Sequence, residues 1–272
     1  MVWRVDRAGN KREHIRTMTA TLASERLAPP EPWVAAGTAL FLDLDGVLAA
    51  IEARPQDVAP LPWRSRLLRR LVEKLDGRLA IVSGRTLEEV DRILDGAVPA
   101  VGAVHGLVRR RSDGRLGQPA ASAGLAKVRK GLGEIAVDHP ALMLENKGVA
   151  VALHYRQAPE LGPTVRAKAE RLALQHGMKL QLGDMVAEVR EQGSDKGGAV
   201  RAFMQEPPFK GARPIFLGDD LTDEDGFAAA QALGGTGVLV GPGRKTAAHR
   251  RLDDVAAVRA WLEAGLSQGV RP

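Results

Sequence analysis

Residues Ala39–Ala49 read ALFLDLDGVLA. The apolar run Ala39-Leu40-Phe41-Leu42 predicts a buried strand, and it ends in Asp43-Leu44-Asp45-Gly46. Two carboxylates one residue apart, where a strand gives way to a Gly-containing turn, face the crevice outside the strand's carboxyl end. Open α/β sheets bind their ligands there. Burying one ionised carboxylate at such a place is costly, and burying two is worse, unless they share a cation or a proton. On spacing alone, a strand end with solvated acids fits equally well. The balance is tipped by a second stretch, Ile215–Asp225 (IFLGDDLTDED), where a short apolar strand again runs through Gly into carboxylates. Two such ends in one sheet can converge on a hard cation, and oxygen-rich sites of this kind suit Mg²⁺.

Composition sets the bounds. A chain of 272 residues suits one large domain or two smaller ones. Hydrophobic residues make up 44% and aromatics only 4%, which predicts an aliphatic core. With no cysteine, thiol chemistry, disulfides and Cys-ligated metals are excluded. No run approaches a membrane span and no signal-peptide pattern opens the chain, so a soluble, cytoplasmic protein is expected. The net charge of +6 raises nucleic acid as a partner, but the arginines are spread over helices and no aromatic-basic stacking motif is visible. The sharpest cluster, Arg109-Arg110-Arg111, reads as a solvated turn, and a basic field also favours an anionic phosphate substrate.

Outward from the first strand, residues 1–33 are basic and end in the breaker Pro29-Pro30-Glu31-Pro32, which predicts a mobile extension with the fold starting near Trp33. Leu61–Leu75 has helical spacing, Arg78–Val82 reads as a strand, Thr86–Leu94 as a helix and Ala100–Val104 as a third strand. The alternation predicts a doubly wound parallel sheet. Ser83-Gly84-Arg85, at a strand-to-helix turn, is either a helix start or an anion site made of a hydroxyl and free backbone N–H groups; the acidic strand ends nearby favour phosphate contact. After His105-Gly106 the texture changes to hairpins and helices, including the alternating stretch Val149–Tyr155 and the strand pair Lys179–Leu182 and Met185–Arg190. This predicts an α+β module inserted at 109–191, between core segments 34–108 and 192–272. A lysine in a helix-start turn is usually unremarkable, but Lys196 falls in Ser194-Asp195-Lys196-Gly197, in order between the Ser83 and Asp219 motifs.

The set DxDG, Ser83-Gly84, Lys196-Gly197 and GDDxxD resembles the haloacid dehalogenase superfamily of phosphoryl-transfer enzymes. The resemblance implies a Rossmann-like α/β core in which Asp43 is the nucleophile, Asp45 the general acid and base, and Lys196 a neutraliser of the phosphate and Asp43. It assigns Mg²⁺ to Asp43, the Asp45 carbonyl and Asp219, phosphate contact to Ser83, Gly84 and Lys196, and outer positions to Asp220 and Asp223. More specific stretches are Glu145–Gly148, Leu153–Pro159 (LHYRQAP), Val189–Gly197 and Phe216–Asp225. With Val82–Arg85, Val104–Gly106 and Ala202–Phe209, they resemble the trehalose-6-phosphate phosphatase family from about Ala39 to Gly241.

That family resemblance implies an α+β cap over the core, with Arg85, His105, Glu145, Lys147 and Glu188 on the substrate side. Trehalose 6-phosphate is the implied substrate, a trehalose-phosphate synthase a pathway neighbour, and a monomer the favoured state. Two positions depart from the family pattern. Val47 stands where Thr is usual after DxDG, and Leu107-Val108 stand where a Glu often follows His-Gly. Another sugar phosphate or a glycosyl phosphoglycerate is the alternative substrate, and a non-catalytic sugar-phosphate sensor the alternative class. Retention of Asp43, Asp45, Lys196 and Asp219 weighs against the sensor.

Overall fold

The computed structural model describes residues 27–267. In chain order the elements are β1 (Thr38–Leu42), α1 (Pro62–Lys74), β2 (Leu79–Val82), α2 (Leu87–Leu94), β3 (Ala100–Ala103), β4 (Val108–Arg110) and β5 (Leu116–Gly117). There follow α3 (Ala123–Asp138), β6 (Met143–Asn146), β7 (Ala150–His154), α4 (Gly162–Gln175), β8 (Lys179–Gly183) and β9 (Val186–Arg190). The chain closes with α5 (Lys196–Met204), β10 (Arg213–Gly218), α6 (Glu224–Ala232), β11 (Thr236–Val240), β12 (Arg250–Leu252) and α7 (Val255–Ser267).

Eight strands form one sheet in the order β12-β11-β10-β1-β2-β3-β4-β5. The six from β12 to β3 are parallel, while β4 and β5 add on antiparallel. Strand order reverses between β1 and β10, so the two acidic strand ends flank the topological switch point, the place where this kind of sheet opens a crevice.

Side chains of β1 alternate between the faces as a period of two requires. Leu40 and Leu42 join α1, α2 and α7 on one side; Ala39 and Phe41 join α5 and α6 on the other. Both layers are therefore covered, the doubly wound arrangement expected. Neither side is purely aliphatic: Trp33 and Trp261 are buried on the first. On the second, all five phenylalanines of the chain meet. Phe41, Phe203 and Phe209 stack at centroid distances of 5.3–6.1 Å, and Phe216 meets Phe227 edge-on at 5.7 Å. Composition counts aromatics but does not say where they gather.

The remaining four strands form a separate antiparallel sheet, β6-β7-β9-β8. Helices α3 and α4 cover one of its faces through Val128, Leu132, Val165 and Ala169 against Val151, Leu153, Ala187 and Val189. The module starts later than position 109. Val108–Arg110 and Leu116–Gly117 pair with the large sheet, because the run of three arginines is neutralised in place rather than solvated. Arg110 bonds Asp91 at 2.6 and 2.8 Å, and Arg109 and Arg111 both pair with Glu206.

Of the expected mobile extension, residues 1–26 lie outside the described residues. From Ala28 onward the chain is docked, contrary to that expectation. The Ala28 carbonyl accepts from Arg251 N–H at 3.1 Å, the Glu31 carbonyl accepts from Trp261 Nε1 at 3.0 Å, and Trp33 is buried against Gly265. An extended Pro-rich stretch offers carbonyl acceptors even where it breaks a helix. Among the described residues, no helix is long and apolar enough to cross a membrane.

Candidate active site

At the carboxyl end of β1, Asp43 is buried, its backbone N–H bonded to the Leu217 carbonyl of β10 at 3.0 Å. Its Oδ1 accepts from the Leu44 N–H at 2.7 Å, and its Oδ2 from Lys196 Nζ at 2.8 Å. Lys196 opens α5, whose start is fixed by Asp195 accepting from the Gly198 N–H at 2.8 Å. The ammonium is 2% exposed and also bonds Asp223 Oδ1 at 2.7 Å. The second oxygen of Asp223 accepts from the N–H groups of Asp219 and Asp220, at 2.9 and 3.0 Å. Both oxygens of Asp223 thus bond groups of the protein, Lys196 and the loop after β10. Asp220 caps the next turn through a 2.6 Å bond from the Leu221 N–H.

Three carboxylates, Asp43, Asp219 and Asp223, offer oxygens within 4.8 Å of one another against the single ammonium of Lys196. Burial, together with Asp223, Asp219 and incomplete compensation by Lys196, raises the Asp43 carboxyl well above its ordinary range. Burial and Asp223 push Asp219 up to about 7. Backbone space is shaped to this cluster: a Cβ on Gly46, whose φ is +70°, would lie 2.0 Å from Asp219 Oδ2. A surplus of all-oxygen donors in a glycine-lined cradle fits a hard divalent cation.

Asp45 and Arg85 form a bidentate pair, Nε to Oδ2 at 2.7 Å and Nη2 to Oδ1 at 2.8 Å. Arg85, expected to contact substrate, is committed first to Asp45 and then to the Pro55 carbonyl at 2.8 Å. It leaves the turn after β2, which α2 anchors with a capping box: the Glu89 N–H donates to Thr86 Oγ1, and the Thr86 N–H to Glu89 Oε2, at 3.2 and 3.0 Å. Ser83 is buried, and its hydroxyl oxygen accepts from the Arg85 N–H at 3.3 Å. Gly84 is required by His105, because a Cβ there would lie 2.7 Å from the imidazole. His105 sits at φ 55° in the turn after β3. Burial and the cations Lys196, Lys147, Arg190 and Lys179 drive its pKa well below 6.5. It is neutral near pH 7, and its Nε2 lies 3.7 Å from Glu188 Oε1 as a polar neighbour rather than an ion pair.

The uncovered face of the small sheet closes over these groups. Register places Glu145, Ala152, Glu188 and Gln181 in one row across the four strands. Ala152 has only a methyl group, too small to fill the gap between the two glutamates. Lys147 Nζ donates to Glu188 Oε2 at 2.7 Å and to the Gly84 carbonyl at 2.8 Å, tying the small module to the turn after β2. Burial disfavours that charge, but Glu188 and Glu145 outweigh it and raise the Lys147 pKa. Glu188 Oε1 is buried with no hydrogen-bond partner among the described residues.

All the expected site residues except Asp223 line one cavity of about 910 Å³. Asp223 sits behind it, fully buried.

Sequence reasoning missed three polar residues here. His154 also lines the cavity and bonds Glu145 Oε2 at 2.7 Å. Its place on the Ala150/Ala152 face of the alternating stretch was a usable signal. Arg244 donates to the Asp220 carbonyl at 2.8 Å, to the Asp219 carbonyl at 3.3 Å and to Glu224, bracing the loop after β10. Arg190, fully buried, donates to the Ser194 carbonyl at 2.7 Å where the chain returns to the large sheet. Arg244 stands in no motif that would mark it, and Arg190, although within Val189–Gly197, is given no role by the sequence.

With this geometry in hand, comparison with known proteins is informative. The trehalose-phosphatase family model matches residues 41–256. The chain is 41% identical over 236 residues to the trehalose-6-phosphate phosphatase of Escherichia coli, covering 85% of this chain and 88% of that one. It is 38% identical over 206 residues to a probable trehalose-phosphate phosphatase of Sinorhizobium fredii, covering 75% and 78%. Among solved structures, a trehalose-6-phosphate phosphatase related protein superposes with a TM-score of 0.72 at 27% identity, over 85% of this chain and 98% of that one. The acidic cluster, the lysine between its carboxylates and the second sheet above them all lie within a match of this length: the chain belongs to the trehalose-phosphatase family.

Proposed function

We propose that the protein hydrolyses trehalose 6-phosphate to trehalose and inorganic phosphate through a phosphoryl-aspartate on Asp43, as a haloacid dehalogenase-type phosphatase. The observation that carries this reading is an opposition across one cavity. Asp43 and Lys196 stand on its floor, and Glu145, Lys147 and Glu188 on its roof. The floor suits a phosphoryl group and the roof suits sugar hydroxyls, since a carboxylate accepts several hydrogen bonds and an ammonium donates three.

In the first step an Asp43 oxygen attacks phosphorus while the bond from phosphorus to the sugar oxygen breaks, and protonated Asp45 gives its proton to the leaving alkoxide. In the second, Asp45 takes a proton from a water that attacks the phosphoryl group, releasing phosphate and restoring Asp43. Asp45 has both oxygens on Arg85, so proton transfer requires it to exchange one of those bonds for the leaving oxygen. Lys196 neutralises Asp43 and, once Asp43 carries the phosphoryl group as an acyl phosphate, turns its charge to the phosphate oxygens. Ser83 and the turn at Gly84 present a hydroxyl and backbone N–H groups to the same oxygens. A Mg²⁺ held by Asp43, the Asp45 carbonyl and Asp219 would neutralise charge on the phosphoryl group and align it with the nucleophile. The small module acts as the cap: Lys147, bonded to the Gly84 carbonyl, holds it down and excludes water.

The test is phosphate release from a panel of sugar phosphates, with and without Mg²⁺, beside Asp43→Asn. Mg²⁺-dependent release confined to trehalose 6-phosphate and lost in the variant supports the reading. Broad release across the panel overturns the assignment of the roof residues, and no release from a folded protein overturns the activity.

A further inference from the structure

The role of His154 is not explained by the chemistry above, although it stands in the stretch LHYRQAP and faces the cavity. It ends β7, two residues beyond Ala152 on the same face, and is therefore the diagonal cross-strand neighbour of Glu145 on β6. Its Nε2 lies 2.7 Å from Glu145 Oε2. An ionised carboxylate only accepts, so the ring nitrogen facing it is the donor. Burial alone would raise the Glu145 pKa, but the His154 hydrogen bond and Lys147 outweigh it and keep the carboxyl ionised.

A packing role does not account for the pair. His154 and Glu145 are each about one-fifth exposed, on the cavity wall, and neither belongs to the apolar cluster beneath α3 and α4. The alternative partner for Glu145 is Lys147, whose Nζ lies 3.8 Å from the same Oε2. That ammonium already serves Glu188 and the Gly84 carbonyl. If Glu145 turned fully onto Lys147, it would lose a free acceptor and draw the lysine away from Glu188. His154 holds the same Oε2 at 2.7 Å, against 3.8 Å for Lys147.

We propose that His154 is a positioning residue for sugar recognition: it fixes one oxygen of Glu145 and leaves the other, Oε1, directed at a hydroxyl of the substrate. The proposal rests on the reading of Glu145 as a sugar-binding residue. It gives a reason for a histidine at this place, because a ring nitrogen at the end of a short, stiff side chain sets the carboxylate's rotation as well as its charge.

The test uses the full chain with Mg²⁺, trehalose 6-phosphate and p-nitrophenyl phosphate, and the variants His154→Ala, His154→Gln, Glu145→Ala and the double alanine. Loss of a hydrogen bond to a charged group predicts a rise in KM for trehalose 6-phosphate of roughly tenfold or more in His154→Ala. Turnover number stays within about twofold, and kcat/KM for the aryl phosphate, which has no sugar to place, is unchanged. His154→Gln, with an amide N–H at a similar reach, recovers most of the KM. In the Glu145→Ala background His154→Ala has no further effect, since the two act as one unit. Equal losses on both substrates, or additive effects of the two alanines, overturn the proposal. If Glu145→Ala raises KM but His154→Ala and His154→Gln do not, His154 alone is wrongly assigned. If Glu145→Ala leaves KM unchanged, the sugar-binding reading of Glu145 fails, and the role of His154 with it.

Discussion

Lys196 Nζ lies 2.8 Å from Asp43 Oδ2, although the two residues are 153 positions apart in the chain. The contact joins the end of β1 to the start of α5, and it is the only charge compensation Asp43 receives from a side chain bonded to it among the described residues. Function and stability are therefore coupled at this point.

Lys196→Ala is expected to abolish turnover and also to destabilise the protein. Removing one partner leaves Asp43 and Asp223 buried without their cation, a situation that typically costs about 3–5 kcal/mol. Urea unfolding of the variant beside the parent checks this. Lys196→Ala with unchanged stability would mean that the carboxylates are already neutral in the parent.

Gly46→Ala is expected to separate cation binding from folding. Its Cβ would meet Asp219 Oδ2 at 2.0 Å and would need a positive φ, so Asp219 must swing away. A rise in melting temperature with Mg²⁺ is expected for the parent, and it should be lost or strongly reduced in the variant. Melting temperature without Mg²⁺ should fall by a few degrees at most. Isothermal titration with Mg²⁺ gives the same answer without thermal unfolding.

Arg85→Ala is expected to lower kcat much more than it raises KM. The bidentate bonds to Asp45 orient the proposed acid and base, and Arg85→Lys, with one point charge in place of a fork, should recover only part of the loss. A pure KM effect in steady-state kinetics would return Arg85 to the substrate-binding role expected from sequence.

His105 predicts how stability varies with pH. Its folded pKa lies well below the 6.5 of an unperturbed imidazole, so the unfolded chain binds the extra proton more readily. The contribution is present above pH 6.5 and is lost as pH falls from 6.5 through the lower folded value. Between pH 7.5 and pH 5 the raised Asp43 and Asp219 carboxyls act in the opposite sense, so the His105 contribution is read as a difference in unfolding free energy: His105→Gln should gain stability relative to the parent as pH falls. A parent and variant with parallel profiles would contradict the burial argument.

Much of the site was legible because its residues break local expectation. Asp43, Asp45 and Asp219 are acids at the ends of apolar strands and stood out before any contact was known, whereas Lys196 was marked only by its order between the Ser83 and Asp219 motifs. Along β9, Ala187 and Val189 alternate with Glu188, which sets Glu188 on the other face, the side that the family resemblance implies for substrate. What escaped was pairing between distant segments. β4 carries arginines that pair with the distant Asp91 and Glu206, β12 carries one that pairs with Asp253, and neither reads as a strand by itself. Arg244 supports the loop after β10 from the far side of β11, and no periodicity reports such a contact. Arg85 lay in a recognised motif, yet its commitment to Asp45 depends on the distance between two strand ends.

The measurement that tests the central claim most directly is peptide mass mapping after acid quench of Asp45→Asn turning over trehalose 6-phosphate with Mg²⁺. Loss of the base that activates water should slow the second step more than attack by Asp43, so the phosphoryl-enzyme accumulates. The account predicts one added phosphoryl group, on the peptide carrying Asp43, absent when Asp43→Asn is added to the variant. Steady release of phosphate by the parent, with no phosphoryl group on Asp43 in Asp45→Asn at any quench time, would contradict it.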